Sequence, residues 1–242
     1  LEYLPRIMRA EALFGLGLSE PESGSDLASL KTSAVEDGDS FVVNGQKVWT
    51  SQAHHATHCY LVVRTDAKAA KHQGISELIV DMTLPGIMVR PLVDMTGERH
   101  FNEVFFDNVR VPRKCLVGQK NRGWYQITVQ LDFERSGIER VMSNYPLLEG
   151  LIDHVRRADN SNELVRNKVA QMAIEFEVGR LLVYRVAGMF EDGKLPSYEA
   201  AMAKTFCTEY QQRLARCAME VLGLYGQLGA GHWVSRLSGY AM

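Results

Sequence analysis

The hydrophobic period of this chain changes once, and that change constrains the fold more than any other feature. Up to Gly118 the apolar residues come in short β-prone runs separated by turn residues, and from about Arg122 they recur at helical spacing. Strands written first and helices afterwards make an α+β fold or two separate domains, because each kind of layer needs its own period to bury one face. The 242 residues leave room for two such units. The boundary falls within Gly118-Gln119-Lys120-Asn121-Arg122-Gly123, which predicts a β-domain over residues 1–120 and a helical domain over 121–242. No internal repeat or low-complexity tract interrupts either half.

The β-prone runs are Thr32–Val35, Phe41–Val43, Lys47–Thr50, Tyr60–Arg64, Glu77–Met82, Met88–Pro91 and Glu103–Phe106. Glu36–Asp39, Asn44-Gly45, Pro85-Gly86 and Asp107-Asn108 read as turns between them. Asn44-Gly45 is the strongest of these signals, because a type I′ hairpin turn needs two positive φ angles. With no helical segment between the runs, the strands are expected to be antiparallel throughout.

The helical half divides into three patterns. The first runs from Gly123 to about Arg157 and is expected to be bent or interrupted near Pro146. The second follows Ser161-Asn162, with Val165, Val169, Met172, Phe176, Val183, Ala187 and Phe190 on one face, and stops near Gly193. The third follows Pro196-Ser197, with Met202, Phe206, Tyr210, Leu214, Cys217, Val221 and Tyr225 on its stripe.

The first helical pattern holds one residue that does not fit. Its apolar stripe reads Ile127, Leu131, Ile138, Val141, Met142, Tyr145, Leu148 and Ile152, and the slot between Leu131 and Ile138 is Glu134. A carboxylate on a buried face needs a raised pKa or a partner. A carboxylate of raised pKa beside an apolar pocket suits a general base. Two other readings stand beside it: pairing with a neighbouring cation, or a rotated face that leaves Glu134 solvated.

Composition removes several classes. The 27 basic and 29 acidic residues give a net charge of −2, whereas nucleic-acid binders carry a basic excess. Apolar runs such as Ala12–Leu18 are too short to span a bilayer. Without a charged-then-apolar leader at the start, and with Cys59, Cys115, Cys207 and Cys217 unpaired in spacing, the expectation is a soluble cytoplasmic protein with free thiols. His54, His55, His58 and Cys59 crowd one stretch but lack the second ligand pair of a structural zinc site, so no metal is expected. Gly15-Leu16-Gly17 lacks the third glycine of a dinucleotide fingerprint, and no Gly-x-Ser-x-Gly elbow occurs. The polar stretch Ser19–Asp26 suits either a ligand cap or a surface turn.

The order of motifs then becomes informative. Leu18-Ser-Glu-Pro-Glu-Ser-Gly-Ser-Asp26, Val42-Val-Asn-Gly-Gln-Lys-Val-Trp-Thr-Ser51, Gly74-Ile-Ser76, Pro85-Gly86, the stretch Asn102 to Pro112 and Gly123-Trp124 occur in one sequence order. That order resembles the middle β-domain of flavin-dependent acyl-CoA dehydrogenases, continuously from Tyr3 to Arg135. The resemblance implies an antiparallel β-barrel-like domain followed by an up-down helical bundle, with the family's N-terminal helical domain absent from this chain. It implies FAD as cofactor, an acyl-CoA substrate, an electron-transfer flavoprotein as acceptor, and a homo- or hetero-oligomer, dimer or tetramer. By matching position, Leu18 and Ser19 hold the flavin pyrimidine edge, Trp49 packs near the flavin ring, and Ser51 bonds near flavin N5. Ser25, Asp132 and Arg135 match positions on the acyl-CoA side. Leu131-Asp-Phe-Glu-Arg135 resembles the branch whose catalytic glutamate lies on this helix, which makes Glu134 the base.

The resemblance thins toward the C-terminus. Arg156-Arg-Ala-Asp-Asn-Ser-Asn-Glu163 stands where the family often has Arg-x-x-Phe-Gly, and Glu220 stands where a glutamine would donate to the adenylate half of FAD. An ionised carboxylate cannot donate that bond. These departures leave three readings: a dehydrogenase, an acyl-CoA oxidase, and a half-site or non-catalytic subunit of a heteromeric enzyme.

Overall fold

The computed structural model describes residues 3–95, 97–158 and 162–227. The chain divides between Thr128 and Val129 into two compact units. The division falls inside a helix, α2 below, because the start of that helix is tied to the sheet. A Cβ on Gly123 would lie 2.9 Å from the Ser76 backbone, so only glycine lets the helix begin there. One turn on, Gln126 donates to Glu77 at 2.6 Å and to the Val117 carbonyl at 3.1 Å.

In the first unit a short helix α1 (Leu4–Met8) precedes eight strands: β1 (Phe14–Gly17), β2 (Ser33–Asp37), β3 (Ser40–Lys47), β4 (His58–Arg64), β5 (Ile75–Asp81), β6 (Ile87–Leu92), β7 (Phe101–Pro112) and β8 (Leu116–Val117). They form one sheet in the order β6-β7-β3-β2-β4-β5-β8, with β1 added on β4. Phe41 and Val43, Leu61 and Val63, Leu78 and Val80, and Val109 and Val111 are buried at alternate positions and face one core, while at β4 and β5 the other face is covered as well, with Val62 and Glu77 fully buried. The path is open, but β5 and β7 approach across this core, so the sheet curls on itself.

Three expectations about this sheet are corrected. It is not wholly antiparallel: β1 runs parallel to β4 over Phe14–Gly17, and β2 meets β4 in parallel at Ser33 and Arg64. The crossover that a parallel pair needs is supplied by the intervening β2–β3 hairpin rather than by a helix. Gly17 permits the close approach, since a Cβ there would lie 2.7 Å from Leu61 Cδ1 and 2.8 Å from Cys59 Sγ.

Second, neither Asn44-Gly45 nor Asp107-Asn108 is a turn. Both lie inside long strands, β3 and β7, and face each other at a register shift between Val43 and Gly45. The positive φ values of Gly45 (150°) and Asn108 (50°) serve a β-bulge instead of a reversal. Asn44 Oδ1 accepts from the Asn108 N–H at 2.8 Å, which closes the gap left in the ladder. Third, Lys47–Thr50 is not a separate strand; Lys47 ends β3. The reversals at Gly38 and Gly86 occur where the sequence places them, with φ of 58° and 89°.

The second unit contains the rest of α2 (Gly123–Arg135), then α3 (Glu139–Met142), α4 (Tyr145–Arg157), α5 (Glu163–Glu191) and α6 (Ser197–Leu222). Asn162 caps α5 by accepting from the Leu164 N–H at 3.0 Å. Gly193, at φ 71°, lets the chain turn away after α5. Helices α5 and α6 run antiparallel, with Lys168 opposite Glu220 and Glu175 opposite Arg213. Leu148, Leu151, Phe176, Val183, Cys207, Tyr210 and Leu214 fill the space between them and α4.

The expected single helix from Gly123 to Arg157 is three pieces. One break, at Ser143-Asn144, falls near Pro146 as expected, and Pro146 sits in the first turn of α4 where a missing N–H costs nothing; the other, at Ser136-Gly137, is not one the sequence pattern predicts. Two stripe positions are also displaced. Val186 rather than Ala187 is buried on α5, and Tyr225, beyond the end of α6, is exposed. Asp159, Asn160 and Ser161 of the Arg156–Glu163 stretch lie outside the described residues, as do residues 228–242.

Candidate functional site

Strand β1 ends at Gly17 and delivers Leu18, Ser19 and Glu20 to the end of β3. The Val48 N–H donates to the Ser19 carbonyl at 2.9 Å, which sets Leu18 and Ser19 beside Val48–Ser51. Four residues about 30 positions apart, Leu18 and Ser19 with Trp49 and Ser51, thus share one edge of the sheet unit. A third segment fixes that edge. The Thr50 N–H donates to the Asn102 carbonyl at 3.1 Å, and the Gln52 N–H donates to the His100 carbonyl at 2.8 Å. Asn102 Nδ2 returns a bond to the Thr50 carbonyl at 2.9 Å.

The backbone there is strained. Trp49 and Gln52 have φ of 61° and 54°. A bulky side chain in the left-handed region is an outlier costing about 1–3 kcal/mol, and it persists only where the surroundings over-determine it. The strain turns the Trp49 ring outward. It is 61% exposed and touches Phe101 edge-on at 5.9 Å. Among the described residues, the Ser19 and Ser51 hydroxyls make no hydrogen bond. An exposed aromatic face on an edge that also carries two serine hydroxyls suits a flat, polar-edged ring system.

Beneath this edge lies a buried ion pair that sequence reasoning missed. Lys47 Nζ donates to Glu20 Oε1 and to the Leu18 carbonyl, both at 2.9 Å, with the Lys47 side chain wholly buried. Glu20 also accepts from the Lys31 N–H at 2.7 Å and the Thr32 N–H at 2.9 Å. Burial pushes the Glu20 carboxyl up, but Lys47 and the Thr32 and Lys31 donors outweigh it and hold the group below its ordinary value. Burial pulls Lys47 down, opposed by Glu20. A signal for Lys47 did exist. Continuing the alternation of Phe41 and Val43 through Gly45 puts position 47 on the inward face. Glu20 had none, because its burial depends on the strand that arrives 27 residues later.

The remaining expected residues are dispersed. Ser25 is exposed in the Glu22–Asp26 loop. On α2, Asp132 accepts from the Ser197 hydroxyl at 2.5 Å, and Arg135 is half-buried at the helix end. Glu134 is not on a buried face, which corrects the stripe argument. Its side chain is 47% exposed and paired with Arg140, which also donates to the Glu134 carbonyl at 3.3 Å. The physical reason is the break at Ser136-Gly137: Ile138 and Val141 belong to a different helix, so the stripe that seemed to enclose Glu134 is not continuous.

The histidine-rich stretch is also spread out. His54 Nδ1 lies 3.0 Å from Asn102 Oδ1, and His58 stacks on Phe14 with ring centroids 5.3 Å apart. Burial pushes the Cys59 thiol up to about 12. Among the described residues, no three His, Cys, Asp or Glu side chains are placed to hold a metal ion. In the helical unit, a cavity of about 360 Å³ is lined by Lys168, Met172, Arg213, Arg216, Cys217 and Glu220. Lys168 pairs with Glu220 there at 2.5 Å and holds that carboxyl below its usual range. No described helix is long and apolar enough to cross a membrane.

A curled sheet bearing this edge, followed by an antiparallel helical bundle, is the architecture of one flavoprotein class. Residues 15–109 match the model of the acyl-CoA dehydrogenase middle domain, and residues 121–240 match that of the acyl-CoA dehydrogenase C-terminal domain. The acyl-CoA dehydrogenase FadE29 of Mycobacterium tuberculosis is 41% identical over 239 residues, covering 93% of this chain and 59% of that relative. The steroid ACAD Tcur3481-Tcur3483 superposes with a TM-score of 0.90 at 34% identity, over 99% of this chain and 63% of the other. The ChsE4-ChsE5 complex from Mycobacterium tuberculosis gives 0.86 at 34% identity, over 99% and 65%. The chain belongs to the acyl-CoA dehydrogenase family, whose members are FAD flavoproteins.

Proposed function

We propose that this protein catalyses FAD-dependent α,β-dehydrogenation of an acyl-CoA thioester. The observation that carries the reading is the convergence of Leu18, Ser19, Trp49 and Ser51 on one edge, with two unpartnered hydroxyls and a strained, exposed indole. FAD, when bound, supplies the two-electron acceptor for the hydride leaving the β-carbon. Leu18 and Ser19 hold its pyrimidine edge, Trp49 covers the ring, and Ser51 donates near N5. Glu134 takes the proton from the α-carbon, so the α,β double bond forms as proton and hydride leave together. The exposure of Glu134 leaves its carboxylate open to a substrate, and Arg140 fixes its direction. Ser25, Asp132 and Arg135 serve the acyl-CoA, and an electron-transfer flavoprotein reoxidises the enzyme.

The test is anaerobic reduction of the flavin by a panel of linear, branched and steroid-derived acyl-CoAs. The steroid arm is included because Tcur3481-Tcur3483 is named a steroid ACAD. Glu134→Gln is expected to abolish bleaching while retaining bound flavin. Near-normal reduction in that variant refutes the assignment of the base. Air reoxidation as fast as reoxidation by electron-transfer flavoprotein would turn the reading toward an oxidase.

Glu220 favours a heteromeric assembly as the second reading. The Lys168 ammonium keeps this carboxyl ionised, so it cannot donate where the family's glutamine does. The structural neighbours Tcur3481-Tcur3483 and ChsE4-ChsE5 carry two chain names each. A homotetramer with FAD in every site refutes this reading.

A further inference from the structure

We propose that Lys47 and Glu20 are positioning residues that preset the Ser19 amide for the flavin. The inference rests on the reading above, in which Leu18 and Ser19 meet the pyrimidine edge. It begins with peptide geometry. In a trans peptide the carbonyl of one residue and the N–H of the next point in opposite directions. The Leu18 carbonyl is drawn inward by Lys47 Nζ at 2.9 Å, so the Ser19 N–H is turned outward, toward the edge that carries Trp49 and Ser51.

Glu20 completes the clamp. It binds the same ammonium and also the Lys31 and Thr32 N–H groups, which anchors the segment to the start of β2. The Ser19 carbonyl is held independently by the Val48 N–H. The peptide planes on both sides of Ser19 are therefore fixed before any ligand arrives. An ammonium does this better than a neutral donor, because a charge-assisted bond is roughly twice as strong as a neutral one. A preset donor also spares the ligand the entropy of ordering the loop. A wholly buried lysine whose second acceptor is a main-chain carbonyl is otherwise a costly way to stabilise a sheet, since apolar packing does that equally well.

The test compares FAD binding by the full-length apo-protein and by its Lys47→Met/Glu20→Gln variant. Removing both charges avoids an unpaired buried ion, so the variant is expected to fold. The expected result is a loss of FAD affinity of tenfold or more in a fluorescence titration. The visible flavin band should change shape at temperatures where circular dichroism matches the wild type. A folded variant with wild-type FAD affinity and spectrum overturns the inference. If the wild-type apo-protein does not bind FAD at all, the flavin reading itself falls, and the inference with it. A measurement without substitution gives a second arm. In the wild-type apo-protein, residue-resolved hydrogen exchange is expected to be as slow at the Val48 and Glu20 amides, which bond the Ser19 and Ser23 carbonyls, as in β3, while the outward Ser19 amide exchanges freely until FAD is added. Free exchange at Val48 and Glu20 that only FAD slows means that the ligand and not the ion pair orders the segment, and overturns the inference.

Discussion

Glu20→Gln isolates the energetics of the buried pair. Lys47 has no exposed side-chain surface and Glu20 has 7%, so the substitution leaves an ammonium in the protein interior without a counter-charge, bonded to the Leu18 carbonyl and competing for one amide oxygen. Breaking a buried pair from one side costs about 3–5 kcal/mol, most of it the uncompensated charge. A second loss overlaps with it. The carboxylate accepts from Lys47, Lys31 and Thr32 through two oxygens, whereas the amide has only one. Set against a typical stability of about 5–15 kcal/mol, this is a large fraction. It should lower Tm by roughly 10–20 °C. Urea unfolding followed by tryptophan fluorescence in a Trp233→Phe background reads the right region, because the other two tryptophans, Trp49 and Trp124, lie in the sheet unit. Lys47→Met/Glu20→Gln should recover most of the loss, giving a coupling energy opposite in sign to the single-variant effect. A Glu20→Gln variant within about 1 kcal/mol of wild type refutes the reasoning, because an ammonium left without its counter-charge cannot be that cheap.

The same pair predicts acid lability. The folded Glu20 carboxyl lies below its ordinary value, so the unfolded chain takes up the proton first. The stabilisation is therefore complete above about pH 4.3 and is lost as pH falls through the lower folded value. Thermal melts between pH 3 and 7 should show this slope in the wild type and a shallower one in Lys47→Met/Glu20→Gln. Gly45→Val should destabilise the sheet unit by more than about 3 kcal/mol, since its Cβ would lie 2.7 Å from the Thr32 Cα at a φ of 150°; a urea midpoint near wild type would count against the bulge. Trp49→Gly should leave stability within about 1 kcal/mol, because relief of the left-handed strain offsets the greater freedom of glycine in the unfolded chain, while FAD affinity falls. Cys59, its thiol pushed up to about 12 by burial, should resist iodoacetamide at pH 8 until urea unfolds the sheet, with half-buried Cys115 labelled first by mass spectrometry.

The sequence by itself determined the two-part architecture and most of its elements. The short β-prone runs around Phe41–Val43 and Tyr60–Arg64 mark strands, and the helical period that begins near Arg122 marks the second unit. The Asn162 cap and Gly193 bound α5 through bonds that need only neighbouring residues. Such signals are local and survive without knowledge of partners. Tertiary structure decided whatever depended on a distant strand or on chain continuity. Asn44-Gly45 has the chemistry of a turn, but β7 brings Asp107-Asn108 opposite it, and two turn signals that face each other become a bulge. Glu134 sits in an apolar rhythm that presumes one helix, and the break at Ser136-Gly137 dissolves it. The motif order pointed to Leu18, Ser19, Trp49 and Ser51, but it could not show what holds their edge in place. That rests on a lysine and a glutamate 27 residues apart, charged types that composition assigns to the surface. Only the meeting of the segment after β1 with the end of β3 allows their burial, because each neutralises the other where water cannot.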